Sequence, residues 1–200
     1  MSREDELMRE AIKLADRGRF EVEPNPRVGC ILLQEGEIVG RGFHEYFGGR
    51  HAEAVALQEA RQNGNKPDTA VVTLEPCCTE MGVDGKKTPP CAHALVDAGI
   101  KRIVIGSVDP DPRHRRKGIA MLEEAGIEVL DGVLASHCDQ IYAPFKKALS
   151  LDRPWMLCKW AMTLDGKTAA PTGEARWISG SEARKKTHEI RAHCDGVMVG

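Results

Sequence analysis

From residue 3 to residue 130 the apolar residues of this chain switch repeatedly between a helical and a strand period, and this alternation limits the fold more than any other feature. Leu7, Met8, Ala11, Ile12, Leu14 and Ala15 recur at helical spacing within residues 3–17, with Ser2 placed to cap the helix and Gly18 to end it. Val28 to Leu33 and Ile38 to Gly42 flank a turn at Glu35-Gly36-Glu37 and predict a hairpin. A helix is predicted from His51 to Asn63, with Ala52, Val55, Ala56 and Leu57 on its apolar side, and then a buried strand from Thr69 to Leu74. Helices from Cys91 to Ala98 and from Gly118 to Ala125 precede strands at Arg102 to Ile105 and Ile127 to Leu130. Alternation at these intervals implies an α/β fold, a three-layer α/β/α domain with helices on both faces of one sheet. That domain is expected to occupy residues 1–145.

A second start follows. A helix from Ser136 to Leu149 leads to a strand at Trp155 to Trp160, a loop rich in Thr, Gly and Pro, a helix from Ser181 to His193 and a second strand at Gly196 to Gly200. About 50 residues of this kind do not bury a full core alone. Residues 146–200 therefore read as the incomplete start of a second α/β domain.

With 29% charged residues and a net charge of −2, the chain has no general electrostatic case for nucleic acid. The basic run Arg113-His114-Arg115-Arg116-Lys117 reads as a solvated helix start. No apolar run approaches the ~20 residues of a membrane span, and the acidic start Met1-Ser2-Arg3-Glu4-Asp5-Glu6 is unlike a signal peptide, so a cytoplasmic location without membrane contact is expected. Seven cysteines, an odd number, point to reduced thiols, with Cys30, Cys138, Cys158 and Cys194 expected to pack as small buried hydrophobes.

The chemistry-bearing residues are His51-Ala52-Glu53, Glu75-Pro76-Cys77 and Thr88-Pro89-Pro90-Cys91. One imidazole (His51) and two thiolates (Cys77, Cys91) can hold zinc with a fourth position left for water, and Glu53 can carry protons to and from it. In a regular helix Glu53 would lie about 200° around from His51, so the two meet only if His51 stands at the very start, turned inward. Cys77 falls just past a strand, and Cys91 opens a helix behind two prolines, at a helix start whose amide donors would favour a thiolate. Hydrolytic deamination is the simplest outcome. A zinc site closed by a fourth protein ligand would instead be structural, and Cys78 is the candidate for that role.

These residues resemble the zinc-dependent cytidine deaminase superfamily. More narrowly, Pro24-Asn25-Pro26-Arg27-Val28-Gly29-Cys30, Gly40-Arg41-Gly42-Phe43-His44, Thr73-Leu74-Glu75-Pro76-Cys77 and Lys87-Thr88-Pro89-Pro90-Cys91 resemble the deaminase half of the bifunctional riboflavin-biosynthesis deaminase/reductases. The resemblance implies a cytidine-deaminase-like fold and a phosphorylated pyrimidine substrate, 2,5-diamino-6-(5-phosphoribosylamino)pyrimidin-4(3H)-one, deaminated to the corresponding uracil. It further implies that Asn25, His44 and the backbone of Ala52 hold the pyrimidine, that Lys87 meets the phosphate and Asp109 the ribose, and that the protein self-associates. The chain departs from the family in its longer Cys77–Cys91 span, in Cys78-Thr79, and in Asp111, a carboxylate that Arg113 or Arg115 must neutralise.

Lys159-Trp160-Ala161-Met162-Thr163-Leu164-Asp165-Gly166-Lys167, Arg176-Trp177-Ile178-Ser179 and His188-Glu189-Ile190-Arg191-Ala192 resemble the start of the fused NADPH-dependent reductase. By that resemblance Ala161 and Trp177 face the cofactor and Arg191 the substrate, while Ala175 stands where a hydroxyl residue is usual. No reduction by NADPH is expected from these residues alone. The alternative to the riboflavin pathway is another zinc deaminase, of cytosine, a nucleoside or tRNA adenosine. The last commonly closes its site with Pro-Cys-x-x-Cys, which is absent here.

Overall fold

Ser2 opens the first helix with a reciprocal cap: its hydroxyl accepts from Asp5 N–H, and its own N–H donates to the Asp5 carboxylate. In this computed structural model, which describes residues 1–79, 89–151 and 153–199, that helix is α1 (Arg3–Ala15). Strands β1 (Gly29–Gln34) and β2 (Glu37–Phe43) form the expected hairpin, with a bulge at Val39 where the pairing slips between Leu32 and Leu33. Helix α2 (Ala52–Gln62) leads to β3 (Thr69–Leu74), α3 (Cys91–Asp97) to β4 (Arg102–Ser107), and α4 (Lys117–Glu124) to β5 (Glu128–Leu130). The sheet has five strands in the order β2-β1-β3-β4-β5.

Side chains alternate across it. Cys30, Leu32, Val72, Ile103 and Ile105 pack with α2, α3 and α4 on one face. Ile31, Leu33, Val71 and Val104 pack on the other with Met8 and Ala11 of α1 and Cys138 of α5 (Ala135–Ile141). This is the expected three-layer arrangement. Cys30 and Cys138 are buried as expected, and burial pushes the Cys138 thiol up to about 12.

Because β1 is antiparallel to both β2 and β3, and β4 is parallel to β3, strands β2, β3 and β4 all end at one edge of the sheet. Helices α2, α3 and α4 begin there. Open α/β sheets bind ligands beyond such carboxyl ends. Helix α2 lies directly on the β2 backbone: a Cβ on Gly42 would sit 2.1 Å from the Ala52 carbonyl oxygen, and one on Gly40 2.5 Å from that of Ala56.

The loop after β4 is tied internally. Asp111 N–H donates to Asp109, and the buried Asp111 carboxylate accepts from the Arg113 N–H and from its guanidinium, Nη2 to Oδ2 being 2.6 Å. Arg113 is thus the residue that neutralises Asp111, holding its carboxyl down to about 2. Arg116 pairs with Asp131, and the basic run is a turn that leads into α4, with Arg116 as its N-cap and Lys117 as its first residue.

Three expectations are corrected. The helix expected from Ser136 to Leu149 is two helices, α5 and α6 (Ala143–Leu151), broken at Tyr142. Pro144 has no N–H to give, and its ring clashes with the carbonyl four residues back, so the α5 ladder cannot run through it. Residues 155–160 and the described residues 197–199 form no strand, because neither pairs in a ladder with another segment among the described residues. Cys158 and Cys194 are exposed rather than buried.

The chain divides into compact units Met1–Trp155 and Met156–Gly200, and the expected boundary at 145 falls within α6. The second unit contains α7 (Ser181–Ala192) and turns, and none of its described residues is buried. No helix among the described residues is long and apolar enough to cross a membrane.

Gly42→Ala is expected to lower stability by about 1–3 kcal/mol, because a backbone oxygen fills the space the methyl needs. A shift in urea midpoint at unchanged slope will measure it. The Asp111 pair predicts a pH effect as well. A carboxyl held below its ordinary value stabilises the fold fully above that value, and the contribution is lost as pH falls through the folded value. The difference in urea midpoint between wild type and Arg113→Ala, both metal-free, should therefore narrow from about pH 5 to about pH 3.

Candidate active site

His51 is the N-cap of α2, with extended backbone (φ −69°, ψ 158°), so its ring leaves the chain before the helical turn begins. Glu53, the second helical residue, can then face the same cavity as His51, which two fully helical positions could not. Cys77 lies three residues beyond β3, and Cys91 is the first residue of α3 after an N-cap at Pro90. His51 Nδ1 lies 3.5 Å from Cys77 Sγ and 3.3 Å from Cys91 Sγ. The Cys91 N–H donates to Cys77 Sγ at 3.4 Å, so the start of α3 supplies the amide that favours a thiolate.

The three donor atoms all lie within 4.8 Å of one another. Separations near 3.5 Å are the edges of a tetrahedron with bonds of about 2.0–2.3 Å, and one imidazole with two thiolates is a zinc donor set. The residues therefore fit the ion. Cys78, the rival ligand, packs instead against the core cluster that contains Ala92 and Ile119, and burial pushes its thiol up.

A cavity of about 350 Å³ opens over this cluster, with Asn25, His44, Glu53 and Asp109 in its walls. His44, at the end of β2, has Nδ1 2.9 Å from the Arg50 carbonyl oxygen. A carbonyl only accepts, so Nδ1 donates and neutral His44 presents Nε2 as an acceptor, 3.4 Å from Asn25 Nδ2. The His44 and His51 rings meet edge to face, centroids 5.5 Å apart. Glu53 is 3% exposed, and burial pushes its carboxyl above the ordinary range, the nearby Cys77 adding to the effect. Burial raises the Asp109 carboxyl as well.

The expected substrate residues Asn25, His44 and Asp109 thus share one cavity with the metal cluster. Ala52 is buried, its methyl in the core and its carbonyl against Gly42. Lys87 lies outside the described residues. In the second unit Ala161 is half-buried, Trp177 is exposed beneath the Arg184 guanidinium at 4.2 Å, and Arg191 is exposed on α7.

Several cavity residues escaped the sequence reading. Phe47, Gly48 and Gly49 come from the β2–α2 loop, and Phe145 and Leu149 are an i, i+4 apolar pair on α6. Thr79 meets His114 at 3.0 Å, from loops 35 residues apart. Glu75 stands in a quoted motif, but nothing in its spacing reveals that its buried carboxylate accepts from four backbone amides.

Residues 1–107 match the cytidine and deoxycytidylate deaminase zinc-binding region, and residues 154–200 match the RibD C-terminal domain. The chain is 42% identical over 195 residues to riboflavin biosynthesis protein RibD of Actinobacillus pleuropneumoniae, covering 98% of this chain and 50% of that protein. A diaminohydroxyphosphoribosylaminopyrimidine deaminase/5-amino-6-(5-phosphoribosylamino)uracil reductase from Thermotoga maritima superposes with a TM-score of 0.83 at 40% identity, over 94% of this chain and 52% of that one. For RibD of Acinetobacter baumannii the TM-score is 0.80 at 40% identity, over 95% and 52%. The chain spans about half the length of these relatives. A zinc donor set at the strand ends of a three-layer sheet and the match over residues 1–107 lead to one assignment: the chain belongs to the cytidine and deoxycytidylate deaminase zinc-binding family.

Proposed function

We propose that residues 1–145 form a zinc-dependent deaminase of riboflavin biosynthesis, converting 2,5-diamino-6-(5-phosphoribosylamino)pyrimidin-4(3H)-one and water into 5-amino-6-(5-phosphoribosylamino)uracil and ammonia. The observation that carries this reading is the buried Glu53 carboxyl sharing a cavity with His51, Cys77 and Cys91 on one side and the Asn25–His44 pair on the other. The similarity to RibD proteins along nearly the whole chain supports this choice among deaminases.

Held by His51, Cys77 and Cys91, zinc supplies acidified water as the nucleophile. Glu53 carries two protons in turn: the first passes from the attacking water to the ring nitrogen beside the amino-bearing carbon, and the second from the hydroxyl then on that carbon to the amino group, which leaves as ammonia while the carbonyl forms. Its raised pKa suits a group that must both accept and donate. His44 Nε2, fixed as an acceptor by the Arg50 carbonyl, receives an N–H of the pyrimidine, and the Asn25 carboxamide meets its polar edge. The backbone of Ala52 contacts the exocyclic group, Asp109 the ribose and Lys87 the phosphate.

Residues 146–200 belong, in this reading, to a reductase that uses NADPH in the longer protein, with Ala161 and Trp177 toward the cofactor and Arg191 toward the substrate. The protein acts in the cytoplasm as a homo-oligomer on a small phosphorylated pyrimidine, without nucleic acid or membrane.

Ammonia release by the purified zinc-loaded chain, with cytidine and a tRNA in parallel, tests the substrate. Selective turnover of the phosphoribosylamino-pyrimidine is expected, and turnover of either alternative alone would overturn the reading. Glu53→Gln should keep stoichiometric zinc and lose turnover about 10²–10⁴-fold. Cys91→Ala, by contrast, should lose the metal, read by elemental analysis of the dialysed protein.

A further inference from the structure

Glu75 is a buried carboxylate in the cavity wall to which the proton-transfer scheme gives no part. We propose that Glu75 is a positioning residue. It holds residues 109–119, the wall bearing Asp109, Asp111, Arg113 and His114, against the strand extension that carries Cys77.

Four backbone amides converge on its two oxygens. Oε2 accepts from Asp109 N–H at 3.0 Å and Arg116 N–H at 2.9 Å, and Oε1 accepts from Gly118 N–H at 2.9 Å and Ile119 N–H at 3.2 Å. A carboxylate has about four acceptor sites, so this one is filled by a single stretch of chain. Two of the donors lie in the first turn of α4, where the helix dipole favours an anion. The other two close the loop from Asp109 to Arg116 onto one oxygen.

The close approach depends on Gly118, where a Cβ would sit 2.0 Å from the Pro76 carbonyl oxygen. Inside the closed loop the Asp111–Arg113 clamp and the Thr79–His114 contact arrange the side chains that reach the cavity. None of these bonds involves Glu53, His51, Cys77 or Cys91. Losing them should disturb the wall and spare both the metal and the proton transfer.

Glu75→Gln keeps the size of the side chain but turns one acceptor oxygen into an N–H donor, which opposes two of the four amides. In the zinc-loaded 200-residue chain, hydrogen exchange at Asp109, Arg116, Gly118 and Ile119 should accelerate about tenfold or more while zinc stays stoichiometric. Unchanged exchange overturns the proposal, and so does loss of zinc, which would make Glu75 a support of the metal centre. Should Glu75→Gln fail to fold, Gly118→Ala, whose methyl meets the Pro76 carbonyl oxygen, displaces the amides at 118 and 119 while leaving the carboxylate intact, and unchanged exchange at those two amides overturns the proposal.

The catalytic consequence rests on the deaminase reading. KM for the phosphoribosylamino-pyrimidine should rise about tenfold or more with kcat within about threefold. A fall in thermal stability with KM unchanged would make the residue merely structural and overturn its positioning role. Absence of wild-type turnover would sink the substrate reading alone, because exchange and zinc content still decide whether Glu75 holds the wall.

Discussion

Backbone contact between α2 and β2 sets the depth of the whole site. Gly42 lets the Ala52 carbonyl reach the strand with no side chain between them, and Gly40 does the same for Ala56 one turn later. The start of α2 is therefore a fixed point at the edge of the sheet. His51 caps that start in an extended conformation, so its ring hangs over the strand ends, and Glu53 follows inside the first turn. Everything else in the cavity is measured from there: Cys77 arrives from β3, Cys91 from the start of α3, and Asp109 from the end of β4.

Three carboxylates around this cavity are buried to a similar degree, and their partners give them different work. Burial dominates at Glu53 and pushes its carboxyl up, the nearby Cys77 adding to the effect. Asp111 sits against Arg113 and is held down to about 2, an anion at neutral pH whose charge is cancelled locally. Glu75 meets four backbone amides and is spent on architecture. Charge type alone would not have separated the three, because what distinguishes them is the supply of donors at each oxygen.

Much of the first unit was legible in the chain itself. The period switches at Val28, His51, Thr69, Cys91 and Arg102 correspond to real elements within a few residues, since a half-buried strand and an amphipathic helix impose different spacings on the same apolar residues. The pattern of His51, Glu53, Cys77 and Cys91 was legible for a related reason: a metal donor set needs particular atoms, and few residue types carry them. The apolar periodicity from Ser136 to Leu149 carries across Pro144, so spacing alone does not separate the two helices that the proline divides. The apolar run Trp155 to Trp160, at the junction of the two units, has the composition of a strand but pairs with no segment among the described residues, and a strand is a property of two segments.

By itself the sequence determined the alternating α/β architecture, the identity of the donors at His51, Cys77 and Cys91, and the nearness of Glu53 to His51, all of which follow from local spacing and side-chain chemistry. Only the tertiary structure decided that Cys78 turns to the core, that Arg113 rather than Arg115 pairs with Asp111, that Thr79 meets His114, and that Glu75 gathers amides from residues 109 to 119. Those outcomes depend on how closely β3, β4 and α4 approach one another and on which donors remain within hydrogen-bond reach of a buried oxygen. Spacing along the chain does not encode such distances.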